Sequence, residues 1–224
     1  MSTRNLARVG GLLYLAVAVM GGFAEFVRTS NTVASDATAT ASNVVAHMTL
    51  FRIAFATDLF DLPMFLAVGI VMFVIFRPIN LPVAMAMLVL NAVSVPIQGL
   101  NMLNQAGAML LAADPQSAAQ VLFLLDLHRV GYLIAQIFFG LYLLPLGYLV
   151  YKSALMPKIL GWILMVGAGA YVAGVAVSFA GQGFESNVAT SFGLVGGMAE
   201  LVFLCWLLIR GISEPRKGAL TWAA

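Results

Sequence analysis

The chain has 224 residues, of which 62% are hydrophobic and 9% are charged, and it carries 11 basic and 9 acidic residues. Soluble domains carry roughly 25% charged residues, so this chain has too few charges to cover a water-facing surface of its own size. The composition excludes a soluble globular protein. The formal net charge of +2 argues against a nucleic-acid partner, which requires a clustered basic face.

Six apolar stretches are long enough to cross the hydrocarbon core of a bilayer, which takes about 20 residues in a helix. They cover residues 9–27, 53–76, 82–111, 130–150, 159–180 and 191–209. The stretches lack the two-residue alternation of a membrane β-barrel. We therefore predict an all-α fold, a polytopic membrane helix bundle with six transmembrane helices, forming one domain over residues 1–224.

The segments between the spans and the prolines within them predict where helices begin and where they bend. Ser35 and Asp36 are good N-cap residues after the first span, so the sequence predicts a short helix there. A helix is also predicted to open at Gln116 and to continue into the fourth span. Three prolines lie inside predicted spans, and each should kink its helix because it removes one backbone hydrogen bond. They are Pro63, Pro96 and Pro145.

The basic residues predict the orientation of the chain, because cytoplasmic loops are enriched in lysine and arginine. With the N-terminus inside, the inner side holds eight basic residues: Arg4, Arg8, Arg77, Lys152, Lys158, Arg210, Arg216 and Lys217. The outer side then holds three: Arg28, Arg52 and Arg129. We expect a multi-pass protein of the plasma membrane with both termini in the cytoplasm.

Polar residues inside the spans point to a binding site. An Asp, Lys or Arg at a helix centre costs about 2.5–3.5 kcal/mol on insertion scales, so such groups face inward, form pairs or line a wet cavity. Most of them fall in the predicted outer halves of the spans, and Glu200 falls near mid-membrane. We predict an outward-facing acidic cavity. The candidate binding residues are Glu25, Arg28, Arg52, Asp58, Asp61, Gln98, Asn101, His128, Arg129 and Glu200.

Simpler structural roles compete with this interpretation. Arg28, Arg52 and Arg129 also suit the outer interface, where long side chains reach water. The third span carries a polar stripe that also suits hydrogen bonding between helices: Ser94, Gln98, Asn101 and Gln105. Gly193 and Gly197 favour close packing of the sixth span. Glu200 is expected to be protonated, paired or functional, because an unpaired charge at its depth is expensive.

Motifs of known enzyme classes are absent from the sequence, including a phosphate-binding glycine loop, His-Glu-x-x-His and Gly-x-Ser-x-Gly. Two histidines, His47 and His128, cannot build a three-histidine zinc site. We expect no cofactor, although the carboxylates together with His128 leave a metal site as an alternative. The expected partners are the lipid bilayer and a small polar ligand; the sequence does not define an oligomeric state.

Several segments resemble one family of membrane proteins. Residues 140–153 (GLYLLPLGYLVYKS) and 155–161 (LMPKILG) carry most of the likeness. Residues 24–28 (AEFVR), 128–132 (HRVGY) and 207–211 (LLIRG) fit the same pattern. The chain is similar to the proteins grouped as domain of unknown function family 4386. The resemblance implies a six-helix membrane protein and brings no activity, substrate or cofactor.

Three classes of function are compatible with these observations. The first is a protein that binds or transports a small polar or cationic solute, or a proton, through the acidic cavity, with Glu200 as the innermost gate or proton carrier. The second is a membrane enzyme that uses the carboxylates and His128 for metal or acid–base chemistry. The third is a non-catalytic assembly or sensory protein, in which the charges only hold the bundle together.

Overall fold

The computed structural model describes residues 3–180 and 187–213, and this part of the chain is helical, with no strand. The helices are α1 (Thr3–Asn31), α2 (Ala37–Ala46), α3 (Met48–Phe76), α4 (Leu81–Leu111), α5 (Ala118–Leu141), α6 (Leu143–Ser153), α7 (Lys158–Phe179) and α8 (Asn187–Ile209). The all-α prediction is confirmed. Arg216 and Lys217, which entered the orientation argument, lie outside the described residues.

Within the described residues, six helical segments are long and apolar enough to span a membrane. They are α1, α3, α4, the segment Pro115–Ser153, α7, and most of α8. Large apolar side chains point away from the protein along these helices, including Leu110 at 83% and Ile209 at 74% exposure. Lipid rather than water suits such surfaces, so the prediction of a multi-pass membrane protein is confirmed.

The fourth span is divided into two helices, which differs from the predicted continuous segment 130–150. α5 ends at Leu141 and α6 begins at Leu143. The amide nitrogen of Pro145 cannot donate to the carbonyl of Leu141 one turn earlier, and this missing bond explains the break. The neighbouring bonds persist, since Leu146 N donates to Tyr142 O over 3.2 Å.

The short helix predicted after the first span is α2. Its N-cap is Asp36, whose Oδ1 accepts a hydrogen bond from Ala39 N at 2.9 Å. This bond satisfies an amide that the first helical turn leaves free. The helix predicted to open at Gln116 begins instead as a 3-10 turn, Pro115–Ser117, which continues into α5.

The chain contacts divide into two compact units. Unit 1 contains Met1–Leu15, Phe65–Ser94 and Gln136–Ala224. In this unit, α6 and α7 approach so closely that a Cβ placed on Gly161 would lie 2.5 Å from Gly147 O. Aromatic side chains meet edge to face beside this contact: Phe65 with Tyr142 at 5.5 Å and Phe139 with Tyr171 at 5.7 Å between ring centroids.

The glycines of α8, which also lies in unit 1, pack differently from the prediction. A Cβ on Gly193 would meet nothing within 4 Å, so close packing at this residue was a wrong prediction. The close approach occurs at Gly196 instead, where an added Cβ would lie 2.6 Å from the ring of Tyr171. The helix is therefore rotated so that Gly196 faces α7.

Unit 2 contains Ala16–Met64 and Val95–Ala135. Its apolar core contains Phe51 and smaller side chains from α1 to α5 and the turn after α4: Ala24, Val27, Ala41, Val44, Ala54, Ala108, Ala112, Ala118, Val121 and Leu125. Because Ala41 and Val44 belong to this core, α2 is packed into unit 2 rather than loosely attached to its surface. Most of the polar residues singled out in the sequence also lie in this unit.

Candidate functional site

Unit 2 contains a small polar cavity. About 30 Å³ of it is open to the centres of water molecules, and one water needs roughly 10–15 Å³ of such space. The cavity is thus large enough for about two or three waters. Its walls are formed by Arg28, Asp58, Asp61, Leu62, Gln98, Asn101, Met102, His128 and Tyr132.

Arg28 is the cationic centre of this cavity, and its side chain is only 9% exposed. One terminal nitrogen, Nη1, donates to Asp58 Oδ2 and to Gln105 Oε1, the latter over 3.2 Å. The other, Nη2, donates to Glu25 Oε2 over 2.9 Å. Two carboxylates therefore share the charge of one guanidinium, and the amide of Gln105 links that group to α4.

Asp61 lies on the same face of α3 as Asp58, one turn further along the helix. Its Oδ1 atom is buried, and it has no hydrogen-bond partner among the described residues. A buried polar atom without a partner is costly, so water or a ligand is the natural partner for this oxygen. Because Asp58 is already bonded to Arg28, a water or ligand in the cavity would bind to the carboxylate of Asp61.

Asn101 and His128 join α4 to α5 at the wall of the cavity. Asn101 Nδ2 donates to the backbone oxygen of His128 over 2.7 Å, and His128 Nδ1 lies 3.3 Å from Asn101 O. Gly131 makes this contact feasible, because a Cβ at that position would lie 2.0 Å from Asn101 Oδ1. The reciprocal bonds fix the imidazole ring at the edge of the cavity.

Glu200 has a separate environment in unit 1. Tyr14 OH donates to its Oε1, and Tyr171 OH donates to its Oε2 over 2.7 Å. The hydroxyl of Tyr142 lies 2.5 Å from that of Tyr14. Since the single hydroxyl proton of Tyr14 points to Glu200, Tyr142 is the donor in that bond. Within the described residues Glu200 has no ion pair, so phenols take the place of a cation around it.

The ten candidate residues are thus distributed unevenly. Six of them line the unit 2 cavity: Arg28, Asp58, Asp61, Gln98, Asn101 and His128. Glu25 joins them through Arg28. Arg129 pairs with Asp126 over 2.6 Å at a partly exposed position, and Arg52 is exposed on α3. One cavity that includes all ten residues stays a prediction, as do their roles.

The structure also reveals site residues that the sequence analysis missed. Tyr14, Tyr142 and Tyr171 surround Glu200, although none of them was a candidate. Their positions in the sequence could have indicated this role, because a tyrosine in the middle of a span needs a hydrogen-bond partner for its hydroxyl group. In the described ranges, no three His, Cys, Asp or Glu side chains are grouped to hold a metal ion.

Comparison with known proteins assigns the family. The profile described as "Domain of unknown function (DUF4386)" matches residues 9–211. An uncharacterized protein of Archaeoglobus fulgidus is 38% identical over 78 residues, which is 35% of this chain and 44% of that protein. The alignment thus spans less than half of this relative. No solved structure matches the chain. Because the family profile covers most of its length, the chain belongs to the DUF4386 family.

Proposed function

We propose that the protein binds a proton or another small cation in the unit 2 cavity and transports it across the membrane. The observation that carries this proposal is the buried Oδ1 of Asp61, which lacks a partner within the described residues. Asp61 lines a cavity large enough for water, so its carboxylate is close to a space in which a small cation can bind.

The charges around the cavity favour a cation over an anion. Arg28 is already bonded to Asp58 and Glu25, so its guanidinium is occupied. Asp61 adds a further carboxylate to the same wall. An opposite charge within about 4–6 Å stabilises an ionised carboxylate, and a bound cation would supply that charge to Asp61.

The size of the cavity narrows the ligand class. Sites for metabolite-sized ligands usually measure roughly 300–1,000 Å³, whereas this cavity offers about 30 Å³. That space suits a hydrated proton or a small cation with one water. Gln98 and Tyr132 also line the cavity, and they provide neutral oxygen atoms of the kind that coordinate such ions.

The proposed direction of entry follows from the basic residues. With the N-terminus in the cytoplasm, α2 and the Pro115–Ser117 turn are on the outer side. Both belong to unit 2, which contains the cavity. The cation would therefore enter from outside the plasma membrane.

The test uses purified protein in liposomes that contain a pH-sensitive dye. An imposed proton or cation gradient should drive flux in the wild type. Losing a charged ligand costs about 1.5–3 kcal/mol, so Asp61→Asn should reduce flux by about tenfold or more. Asp126→Asn makes the same chemical change at a partly exposed ion pair and should keep wild-type flux. Unchanged flux in Asp61→Asn would refute the proposal.

Glu200 is tested separately in the same liposomes. Glutamine at this position keeps the shape of the side chain and can accept the hydrogen bond from Tyr14, but it cannot carry a proton. If Glu200 is a proton carrier, Glu200→Gln should abolish flux or its pH dependence. Wild-type flux and pH dependence would remove Glu200 from the transport function while leaving the role of Asp61 open to its own test.

The closed ion pairs favour a second candidate, a non-catalytic assembly or sensory protein. Arg28 is paired with Asp58 and Glu25, and Arg129 is paired with Asp126. On this hypothesis the charges only stabilise the bundle. Neutralising Asp58, Asp61 and Glu200 together would then lower stability without affecting the partner-dependent phenotype, and the liposome assay would show no flux even for the wild type.

A further inference from the structure

A second and larger cavity lies in unit 1. It encloses about 550 Å³ and is lined by the first turn of α1, the α6–α7 connection and the end of α8. The lining residues that matter for its chemistry are Arg4, Pro157, Trp206, Arg210, Gly211 and Ser213. The cavity is independent of the proposed cation site.

Backbone hydrogen bonds fix the walls of this cavity. Gly211 adopts a left-handed conformation, with φ of 65°, and ends α8. Its N–H and that of Arg210 both donate to Trp206 O, over 3.0 and 2.9 Å, in the manner of a helix C-cap. Ser213 N donates to Leu155 O over 3.0 Å. This last bond attaches the segment after α8 to the α6–α7 connection, so the cavity is a built feature of the fold.

Two guanidinium groups border this cavity, and no described acidic side chain is paired with either of them. Arg4 and Arg210 form no ion pair within residues 3–180 and 187–213, and no acidic side chain is among the lining residues. The stem of Arg4 runs over the end of α8, since a Cβ on Gly211 would lie 3.6 Å from Arg4 Cγ. Two positively charged side chains therefore line a single cavity.

This chemistry suits a phosphate group. A guanidinium presents a rigid fork of N–H donors that matches the oxygen atoms of a phosphate. Pro157 is the N-cap of α7, so the positive end of that helix dipole adds to the two arginines. Trp206 offers the amphipathic ring that is enriched at membrane interfaces. The volume lies within the roughly 300–1,000 Å³ of small-molecule sites, which accommodates a phosphate with a glycerol attached.

We propose that Arg4 and Arg210 form a binding site for a phosphate oxyanion, carried either by an anionic lipid headgroup or by a free phosphate compound. Basic pockets between transmembrane helices are a recognised way of holding such headgroups. Each arginine supplies donors to the phosphate, while the Gly211 cap and the Ser213–Leu155 bond hold the end of α8, which carries Arg210, beside the α6–α7 connection.

The test uses the full chain in detergent micelles, with three probes: phosphatidylglycerol, inorganic phosphate, and a neutral galactolipid that has no phosphate. Native mass spectrometry counts retained lipid, and thermal unfolding in phosphate against chloride at equal ionic strength detects the free anion. Retention of phosphatidylglycerol with no phosphate effect identifies a lipid site. A phosphate effect that competes with the lipid identifies a free-phosphate site. Both outcomes support the proposal.

A pair of substitutions tests the residues. Arg4→Gln with Arg210→Gln should weaken binding about tenfold or more, since a charge-assisted bond is lost at each position. The control pair, Arg8→Gln with Arg77→Gln, removes two exposed charges that do not line the cavity and should bind as the wild type does. If the glutamine pair does not fold, the pair Arg4→Lys and Arg210→Lys replaces it and should bind several-fold more weakly, because lysine lacks the forked donor geometry.

Two results would overturn the proposal. One is a wild type that retains phosphatidylglycerol no better than the galactolipid and responds equally to phosphate and chloride. The other is an equal loss of binding in the test and control pairs, which would mean that bulk charge rather than this cavity attracts the phosphate.

Discussion

Asp58 and Asp61 lie one turn apart on α3, yet their surroundings differ. Asp58 is 15% exposed and bonded to Arg28, whereas Asp61 has a buried oxygen with no partner among the described residues. Paired charges of this kind hold a structure together, and unpaired ones attract a ligand. The proposed binding role therefore belongs to Asp61, whereas we expect Asp58 to stabilise the fold.

The two carboxylates Asp58 and Asp126 permit a matched comparison at the residue scale. Asp58→Asn should lower the free energy of unfolding by about 3 kcal/mol, because it breaks a largely buried ion pair. Asp126→Asn should change it by less than about 1 kcal/mol, because its pair with Arg129 is partly exposed and screened by water. Equilibrium unfolding in mixed detergent micelles measures both. Equal effects would mean that Arg28 does not depend on Asp58.

The sequence predicted residue positions better than residue partners. It placed Arg28, Asp58 and His128 in one polar region, and they line one cavity. It did not pair Glu200 with Tyr14, which lies 186 positions away in the chain. A tyrosine in an apolar span resembles an ordinary packing residue until the neighbouring helix is known, so its partner cannot be found from local composition.

At the scale of helices, packing in unit 1 depends on glycine. α6 and α7 are in backbone contact at Gly147 and Gly161, and a Cβ on either residue would lie within 2.6 Å of the other's carbonyl oxygen. Backbone atoms cannot rotate away as a side chain can, so these helices would have to separate. These two helices also carry part of the Glu200 network, since Tyr142 is the N-cap of α6 and Tyr171 lies on α7.

One pair of substitutions on α7 tests this contact. Gly161→Ala should destabilise the protein by about 1–3 kcal/mol, the usual cost of overpacking. Gly169 lies on the same helix, and a Cβ added there would meet nothing within 4 Å. Gly169→Ala should therefore be neutral, or should stabilise the protein by up to about 1 kcal/mol, because alanine has the higher helix propensity. Thermal unfolding in detergent separates the two. Equal stability of both variants would contradict the close contact.

At the scale of the whole molecule, the open question is which side of the membrane the N-terminus faces. Eight predicted inner basic residues against three predicted outer ones give a consistent bias at every loop. The orientation determines whether the cation site opens outward, as we propose. It does not affect the identity of the groups that line either cavity.

Cysteine labelling measures this orientation. In a Cys205→Ala background, Thr38→Cys on α2 should react with a membrane-impermeant maleimide in intact cells, since Thr38 is exposed. Lys152→Cys, also exposed, should react only after the cells are permeabilised. The reverse pattern would place the N-terminus outside and would remove the outward entry path from the proposed function.

The sequence by itself determined the all-α membrane class, the approximate spans, the short helix after the first span and the family. These properties are local, because hydropathy, helix capping and proline act over one or two turns of chain. The tertiary structure alone decided that Asp58 rather than Asp61 bonds to Arg28, that phenols surround Glu200, and that Arg4 and Arg210 share a cavity. Those outcomes depend on the rotation and spacing of helices, which are set by the packing of residues far apart in the chain.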